Sequence, residues 1–137
     1  MKNGVLIINK PKDYTSRDVV NKLNHILETK KIGHTGTLDP LATGVLVIAV
    51  GSYTKLVNEL TSLDKEYIAT VKLGLLTDTL DITGNVLDKK EYNITEEQIK
   101  EVFNSFIGSY MQEVPKYSAV KINGKKLYEY AREGIDI

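Results

Sequence analysis

The apolar residues in the first half of the chain form two short unbroken runs and one helical stripe. The runs at residues 4–8 and 45–50 each predict a buried strand, because a short bounded apolar run suits a strand covered on both faces. Between them, the spacing of apolar residues predicts a helix over residues 16–28, capped by Thr15 or Ser16. The apolar face of that helix consists of Val19, Val20, Leu23 and Leu27.

The second half of the chain mixes helical and alternating patterns with polar turns. Residues 95–106 carry the clearest helix signal, because Thr95 and Gln98 form a capping box and Ile94 and Ile99 occupy hydrophobic-staple positions. The predicted inner stripe of this helix consists of Ile99, Val102, Phe103 and Phe106. The other predicted elements are a short helix at residues 56–63, a half-exposed strand at 66–73, a strand near 85–87, a short strand after Gly108, an extended segment at 117–122 before the Asn123-Gly124 turn, and a helix at about 126–132.

Strands and helices follow one another in this chain without the regular strand–helix–strand order of parallel-sheet proteins. We therefore expect an α+β fold, with a mixed, largely antiparallel sheet and flanking helices. The length of 137 residues is sufficient for a domain with its own core. No repeat or linker interrupts the sequence, so we interpret residues 1–137 as part of one domain.

Composition and charge narrow the range of functions. The absence of cysteine excludes disulfides, thiolate metal sites and a cysteine nucleophile. The longest apolar runs are far shorter than the ~20 residues of a membrane helix, and no signal peptide is visible, so we expect a cytoplasmic protein. The net charge is zero, yet residues 1–35 hold seven basic against three acidic side chains and residues 116–132 hold five against one. These basic segments form a phosphate-binding patch if they meet in space, and are ordinary solvated surface if they do not.

Residues 33–44 contain three glycines and a proline without any helical or alternating period, and predict a structured loop. The loop lacks the glycine spacing of a P-loop or a dinucleotide site, which argues against phosphate cradling. Asp39 lies between Leu38 and Pro40, just before the second buried strand, where a carboxylate can be partly desolvated yet reachable. The spacing leaves two interpretations open for Asp39: a nucleophile or general base, or a turn-forming residue before proline.

Other motifs suggest different chemistries. Ser118 and Lys121 match the S-x-x-K of penicillin-binding enzymes, but the order relative to His34-Thr35-Gly36 is reversed and no S-D-N element is present. Asp78 and Asp81 have oxygens suited to a divalent cation. Two carboxylates without further ligands are more typical of turns, so we predict no metal site.

The loop resembles the catalytic loop of the TruB family of tRNA pseudouridine synthases, G-H-T-G-x-L-D-P-x-A-x-G-x-L, with every fixed position present at residues 33–46. Further blocks that resemble the family are Asn9-Lys10-Pro11 with Thr15-Ser16, Lys65-Glu66-Tyr67, Gly74 with Thr77-Asp78-Thr79, Asp81 and Gly84, and finally Gln112, Pro115, Tyr117-Ser118-Ala119, Lys121, Gly124, Tyr128, Ala131 and Arg132. Two departures are visible: Asp13 replaces a usual glycine, and Val114 replaces the first proline of a pair.

The resemblance implies isomerisation of uridine to pseudouridine in the T-arm of tRNA, at position 55, without a cofactor. It implies that Asp39 is the nucleophile and that Tyr67 stacks on a flipped-out uracil and assists proton removal. The implied substrate-binding residues are His34, which would contact the RNA, together with Gly36, Thr37 and Leu38. Weaker RNA-binding or structural roles fall to Lys10, Lys121, Lys125 and Arg132.

Members of the resembled family continue beyond this length, through a segment resembling G-T-Y-I-R-S-L whose arginine pairs with the catalytic aspartate. We therefore expect an N-terminal portion of a catalytic domain, without the remainder and without an RNA-binding C-terminal domain. Two alternatives stay open: a catalytically silent RNA-binding fragment, and a guide-RNA-dependent relative. If absent residues complete the sheet, the exposed strand edge would favour self-association.

Overall fold

The computed structural model describes residues 2–137 and divides the chain into two compact units, Met1–Ile68 and Ala69–Ile137. Both units combine helices with small sheets, which confirms the predicted α+β class. Every strand pairing in the described residues is antiparallel. No helix in this described part is long and apolar enough to cross a membrane.

The first unit is built on a three-stranded antiparallel sheet of strands β1 (Gly4–Lys10), β2 (Ile32–His34) and β3 (Gly44–Val50), in the order β1-β3-β2. The predicted strands at residues 4–8 and 45–50 are confirmed as β1 and β3. Strand β2 was not predicted, because three residues with a central glycine are too short to show alternation. It pairs with the end of β3, and this pairing fixes the position at which the loop of residues 35–43 leaves the sheet.

Helix α1 (Ser16–Leu27) covers one face of this sheet and begins where the sequence predicts. Thr15 is its N-cap: the hydroxyl accepts from the amide of Asp18, while the Asp18 carboxylate accepts from the amide of Thr15. This reciprocal pair satisfies two amide groups that the first turn of a helix otherwise leaves unpaired. The helix ends at Glu28, which adopts a left-handed conformation with φ of 54°.

The core of the first unit lies between α1 and the sheet. Its buried members are Val19, Val20, Ile32, Leu46, Ile48 and Val50, and the half-buried residues packed against them are Leu6, Ile8, Leu23, Leu27 and Leu38. Burial of one such side chain contributes about 1.5–3 kcal/mol. Leu38 belongs to the loop after β2, so the same apolar cluster that stabilises the sheet also anchors the loop.

After β3 the chain forms a 3-10 helix at Gly51–Leu56 and then helix α2 (Val57–Thr61), in place of the single helix predicted at residues 56–63. Gly51 has a φ of 65°, and a Cβ at this position would overlap the backbone oxygen of Lys2. Only glycine fits this bend.

The second unit contains two hairpin pairings and two helices. Strand β4 (Leu75–Thr77) pairs with β5 (Val86–Lys89), and β6 (Lys121–Ile122) pairs with β7 (Lys125–Lys126). Helix α3 (Glu96–Ser105) begins after Thr95 with the predicted capping box to Gln98, and the chain's last helix is α4 (Leu127–Arg132).

Two predicted strands are wrong. Residues 66–73 alternate in sequence, but residues 64–72 form no regular element, and their side chains are exposed. Alternation shows which side chains share a face, whereas a strand also needs a neighbouring backbone to bond with, and none pairs with this segment among the described residues. The short strand predicted after Gly108 is also absent, since the next pairing begins at Lys121.

The inner stripe predicted for α3 is likewise not buried within its unit. Val102, Phe103 and Phe106 are 56%, 55% and 56% exposed. The helix itself is confirmed as α3. The described residues of the second unit, however, form no surface that covers this stripe.

Candidate active site

Asp39 lies on the loop between β2 and β3, and its side chain is exposed. The turn that follows is closed by its backbone, because the amide of Ala42 donates to the Asp39 carbonyl at 3.0 Å. The carboxylate itself accepts no hydrogen bond within the described residues 2–137. The turn at this position therefore does not depend on the aspartate side chain, which leaves the carboxylate available for chemistry.

The residue after Asp39 is held by the connection between β1 and α1. The carbonyl of Pro40 accepts from the amide of Asp13 at 2.7 Å and from the ammonium of Lys10 at 3.3 Å. Asp13 has a φ of 67°, in the left-handed region that glycine adopts freely. That conformation explains why the resembled family usually has glycine here, and aspartate tolerates it better than most side chains do.

Lys10 is fully buried at the end of β1. Its ammonium donates to the carbonyls of Tyr14 at 2.6 Å and Pro11 at 2.9 Å, besides the longer bond to Pro40. An ammonium has three hydrogens, so this arrangement leaves none for an RNA phosphate. Of the two roles expected for Lys10, the geometry favours the structural one.

Ser16 contacts the loop, although the sequence pattern predicted no role for it in the site. Its hydroxyl accepts from the amide of Leu38 at 3.0 Å and donates to the carbonyl of Leu38 at 3.3 Å. The two residues are twenty-two positions apart, so no local pattern indicates this contact. The Thr15-Ser16 block of the family resemblance was the one available signal.

His34 and Gly36 shape the start of the loop. Nδ1 of His34 lies 2.7 Å from the carbonyl oxygen of Gly36. A carbonyl only accepts, so Nδ1 carries the hydrogen and Nε2 of the neutral ring remains an acceptor. Gly36 has a φ of 147°, and a Cβ there would meet no atom within 4 Å. The backbone conformation rather than lack of space selects glycine at this position.

A cavity of about 380 Å³ opens beside the loop. This volume falls in the range of small-molecule sites. Its lining residues are Thr35, Gly36, Thr37, Leu38, Val45, Leu46, Val47, Leu60, Leu63, Asp64, Lys65, Glu66 and Tyr67. Gly36, Thr37, Leu38 and Tyr67 are thus brought together at one cavity. Asp39 and His34 flank the lining loop segment and do not line the cavity.

Tyr67 is 69% exposed, so most of its ring faces open space rather than the core. The segment that carries it is fastened upstream by Lys65, whose ammonium donates to the carbonyls of Thr61 at 2.6 Å and Leu63 at 2.8 Å. A large aromatic ring that is exposed at the wall of a cavity suits stacking on a flat ligand.

The remaining predicted RNA-binding residues belong to the second unit. The ammonium of Lys125 lies 4.7 Å from the ring centre of Tyr130 and pairs with the Glu133 carboxylate. The guanidinium of Arg132 lies 5.2 Å from the ring centre of Tyr128. Lys121, in β6, is exposed. Tyr128 and Tyr130 therefore hold cations in position within a basic, aromatic segment.

Asp78 and Asp81 bind backbone and hydroxyl groups of their own turn. One Asp78 carboxylate oxygen accepts from the amide of Asn85 at 2.8 Å. The hydroxyl and amide of Thr83 donate to Asp81 at 2.6 and 2.7 Å, and these bonds lower the pKa of the Asp81 carboxyl. Both carboxylates thus act in the turn that joins β4 to β5.

Comparison with known proteins shows the family to which the chain belongs. The family described as "TruB family pseudouridylate synthase (N terminal domain)" matches residues 24–137. The chain is 49% identical over 134 residues to tRNA pseudouridine synthase B of Fusobacterium nucleatum, which covers 98% of this chain and 47% of that protein. It is 51% identical over 139 residues to the protein of the same name from Bacillus subtilis, covering 100% of this chain and 45% of that one.

A solved structure shares the fold. The crystal structure of a Cbf5-Nop10-Gar1 complex aligns with a TM-score of 0.59 and 29% identity, over 86% of this chain and 31% of that chain. The class is therefore that of the pseudouridylate synthases. Within it, the chain belongs to the TruB family, and it corresponds to the N-terminal domain. The chain spans less than half the length of the curated relatives it matches.

Proposed function

We propose that the protein containing this chain isomerises uridine to pseudouridine in tRNA, with Asp39 as nucleophile. The observation that carries the proposal is the exposed Asp39 carboxylate, which makes no hydrogen bond within residues 2–137 and follows directly on the loop segment that lines a 380 Å³ cavity. The complete catalytic-loop pattern at residues 33–46 and the names of the curated relatives support it.

The reaction breaks the glycosidic N–C bond, turns the uracil, and joins its C5 to the sugar. The hydrogen on C5 leaves as a proton and N1, freed from the sugar, takes up a proton, so the product is an isomer and nothing is oxidised. No redox cofactor or metal is required for this balance. A carboxylate divides the change into two easier steps by forming a covalent intermediate, through attack at the sugar C1′ or at C6 of the base, and a route through elimination at the sugar is a third course.

The target base is inaccessible while stacked in RNA and has to be flipped out, which costs a few kcal/mol. The cavity beside the loop is the proposed receptor for the flipped uracil. Tyr67 would stack on the base and assist proton removal, and His34 would contact the RNA beside it. Gly36, Thr37 and Leu38 would form the floor next to the nucleophile. Lys10 would serve this site by fixing Pro40 rather than by touching phosphate.

The proposed substrate is the T-arm of tRNA, at uridine 55. Lys121, Lys125 and Arg132 are the proposed phosphate contacts, since residues 116–132 hold five basic side chains against one acidic. The identity of about half with the curated tRNA pseudouridine synthases, against 29% with the Cbf5 chain, favours a stand-alone enzyme over one that needs accessory proteins. Such a role puts the proposed location where tRNA is found, in the cytoplasm.

Conversion of a T-arm stem-loop tests this proposal. Tritium at C5 of the target uridine is released once per turnover, and a stem-loop with cytidine at that position is the matched control. The full-length gene product is expected to release tritium only from the uridine substrate. Absence of release from a folded, RNA-binding protein would contradict the proposal.

The same assay on residues 1–137 alone addresses the alternative of a silent RNA-binding fragment. That alternative is favoured by one observation, the coverage of less than half of each relative. Binding without turnover by residues 1–137, together with turnover by the longer protein, is the result that would support this alternative.

We also propose that the 137-residue chain self-associates through the outer edge of its first sheet. Among the described residues, strand β1 pairs only with β3, and Ile7 and Val45 on the sheet are 64% and 69% exposed. Unpaired strand edges next to exposed apolar side chains favour pairing between chains. Light scattering at high concentration is expected to show species larger than 15.3 kDa, and a strictly monomeric chain would rule this out.

A further inference from the structure

The direction of the Asp39 carboxylate depends on its backbone, because no hydrogen bond within the described residues holds the side chain. The backbone at Asp39 is in turn set by the residues before and after it. Pro40 is held from one side by Asp13 and Lys10. Leu38 is held from the other side, and both of its bonds come from a single hydroxyl.

That hydroxyl belongs to Ser16, which is only 3% exposed. Its Oγ lies 3.0 Å from the Leu38 nitrogen and 3.3 Å from the Leu38 oxygen. A hydroxyl has one hydrogen to donate and two lone pairs to accept with, so one serine can satisfy both groups at once. The pair of bonds fixes the rotation of the Leu38 backbone, and therefore the point from which the chain enters Asp39.

Ser16 is itself held firmly. It is the first residue of α1, directly after Thr15, whose capping box with Asp18 sets the start of the helix. The hydroxyl therefore ties the loop to the start of helix α1. The apolar side chain of Leu38, packed against the core, holds the loop at a second point. Alanine in place of Ser16 would remove both bonds to Leu38 and leave the rest of this arrangement in place.

We propose that Ser16 is a positioning residue for the isomerisation: it orients the Asp39 nucleophile by bonding both the amide and the carbonyl of Leu38. The inference rests on the proposed function of Asp39. A reacting atom has to approach its target within about 3–3.5 Å in the right orientation, and a displacement of ~1 Å can slow the reaction by about 10²-fold. Loss of the two bonds between Ser16 and Leu38 therefore slows the chemical step and leaves RNA binding largely unchanged.

The test compares Ser16→Ala, Ser16→Thr and Thr54→Ala in the full-length gene product, with kcat and KM measured on the T-arm stem-loop. Ser16→Ala is expected to lower kcat by roughly 10²-fold with KM within about three-fold. Ser16→Thr keeps a hydroxyl and is expected to recover most of that loss. Thr54, whose hydroxyl donates to the carbonyl of Gly51 at 2.8 Å in the 3-10 helix of the same unit, provides the matched control. Thr54→Ala also removes a bond from a hydroxyl to a backbone carbonyl, and is expected to lower the melting temperature while kcat stays within about two-fold.

A wild-type kcat in Ser16→Ala overturns the inference, and so does an equal loss of kcat in Thr54→Ala, since both results make Ser16 a structural residue only. Should Ser16→Ala fail to fold, Ser16→Cys replaces it, because a thiol keeps the volume and hydrogen-bonds weakly. A full kcat in that variant also overturns the inference. Failure of the proposed function is distinct, since it would appear as a wild-type protein without turnover.

Discussion

Replacement of Lys10 by methionine is the sharpest test of how the loop is held. The ammonium is fully buried and donates to three carbonyls. The bond to Pro40 is long, and that carbonyl also accepts from Asp13. The stabilisation by Lys10 therefore comes mainly from its bonds to Pro11 and Tyr14. A hydrogen bond from a charged group contributes about 1.5–3 kcal/mol net of desolvation. Two such bonds give about 3–6 kcal/mol, a large share of the 5–15 kcal/mol that stabilises an ordinary domain.

The assay is urea unfolding of the 137-residue chain followed by circular dichroism, with Lys12→Met as the matched control. Lys12 lies in the same connection but is exposed, so its replacement is expected to change the free energy of unfolding by less than about 0.5 kcal/mol. Methionine keeps the length of the apolar stem, and any difference between the two variants therefore measures the buried ammonium. Equal losses in the two variants, or a loss below about 1 kcal/mol for Lys10→Met, would refute the reasoning.

Other predictions concern the helix cap and the RNA-binding surface. Thr15→Ala is expected to destabilise the first unit by about 1 kcal/mol, measured by the same unfolding assay, and a loss near zero would contradict the capping box. The hydrogen bonds from Thr15 lower the pKa of the Asp18 carboxyl. The contribution of Asp18 to stability is therefore complete above its unfolded-state pKa and disappears as the pH falls through its folded-state pKa. A free energy of unfolding that does not change across that acid range would contradict this prediction. Replacement of Lys125 and Arg132 by glutamine is expected to weaken RNA binding without affecting sequence preference and to reduce the slope of log K against log salt by about 1–2 in filter-binding experiments. An unchanged slope would remove these residues from the interface.

The parts of the fold that the sequence predicted are those with strong local signals. Strands β1 and β3 are apolar runs, and α1 has a cap and a regular apolar face. The segment at residues 66–73 shows the limit of such patterns. Alternation there is genuine, yet strand formation depends on a partner backbone that local sequence does not specify.

The candidate site likewise has one part that the local sequence predicts and one part that it does not. The aspartate loop was visible as a motif, because its glycines and proline are contiguous. The groups that hold the loop were not visible, since Lys10 and Ser16 reach it from thirty and twenty-two residues away. A lysine reads as a surface residue in any local window. Two of the carbonyls that accept from Lys10 are local, those of Pro11 and Tyr14, and only the fold adds the third, that of Pro40.

The central claim is that the Asp39 carboxylate attacks the substrate, and the replacement Asp39→Asn tests it most directly. Asparagine keeps the shape of the side chain but removes the charge and nucleophilicity. The matched control is Asp88→Asn, an exposed carboxylate in β5 of the second unit. In the full-length gene product, Asp39→Asn is predicted to abolish tritium release from the T-arm stem-loop while its affinity for that RNA stays within a few-fold, and Asp88→Asn is predicted to react as the wild type does. Retained pseudouridine formation by Asp39→Asn would contradict the account.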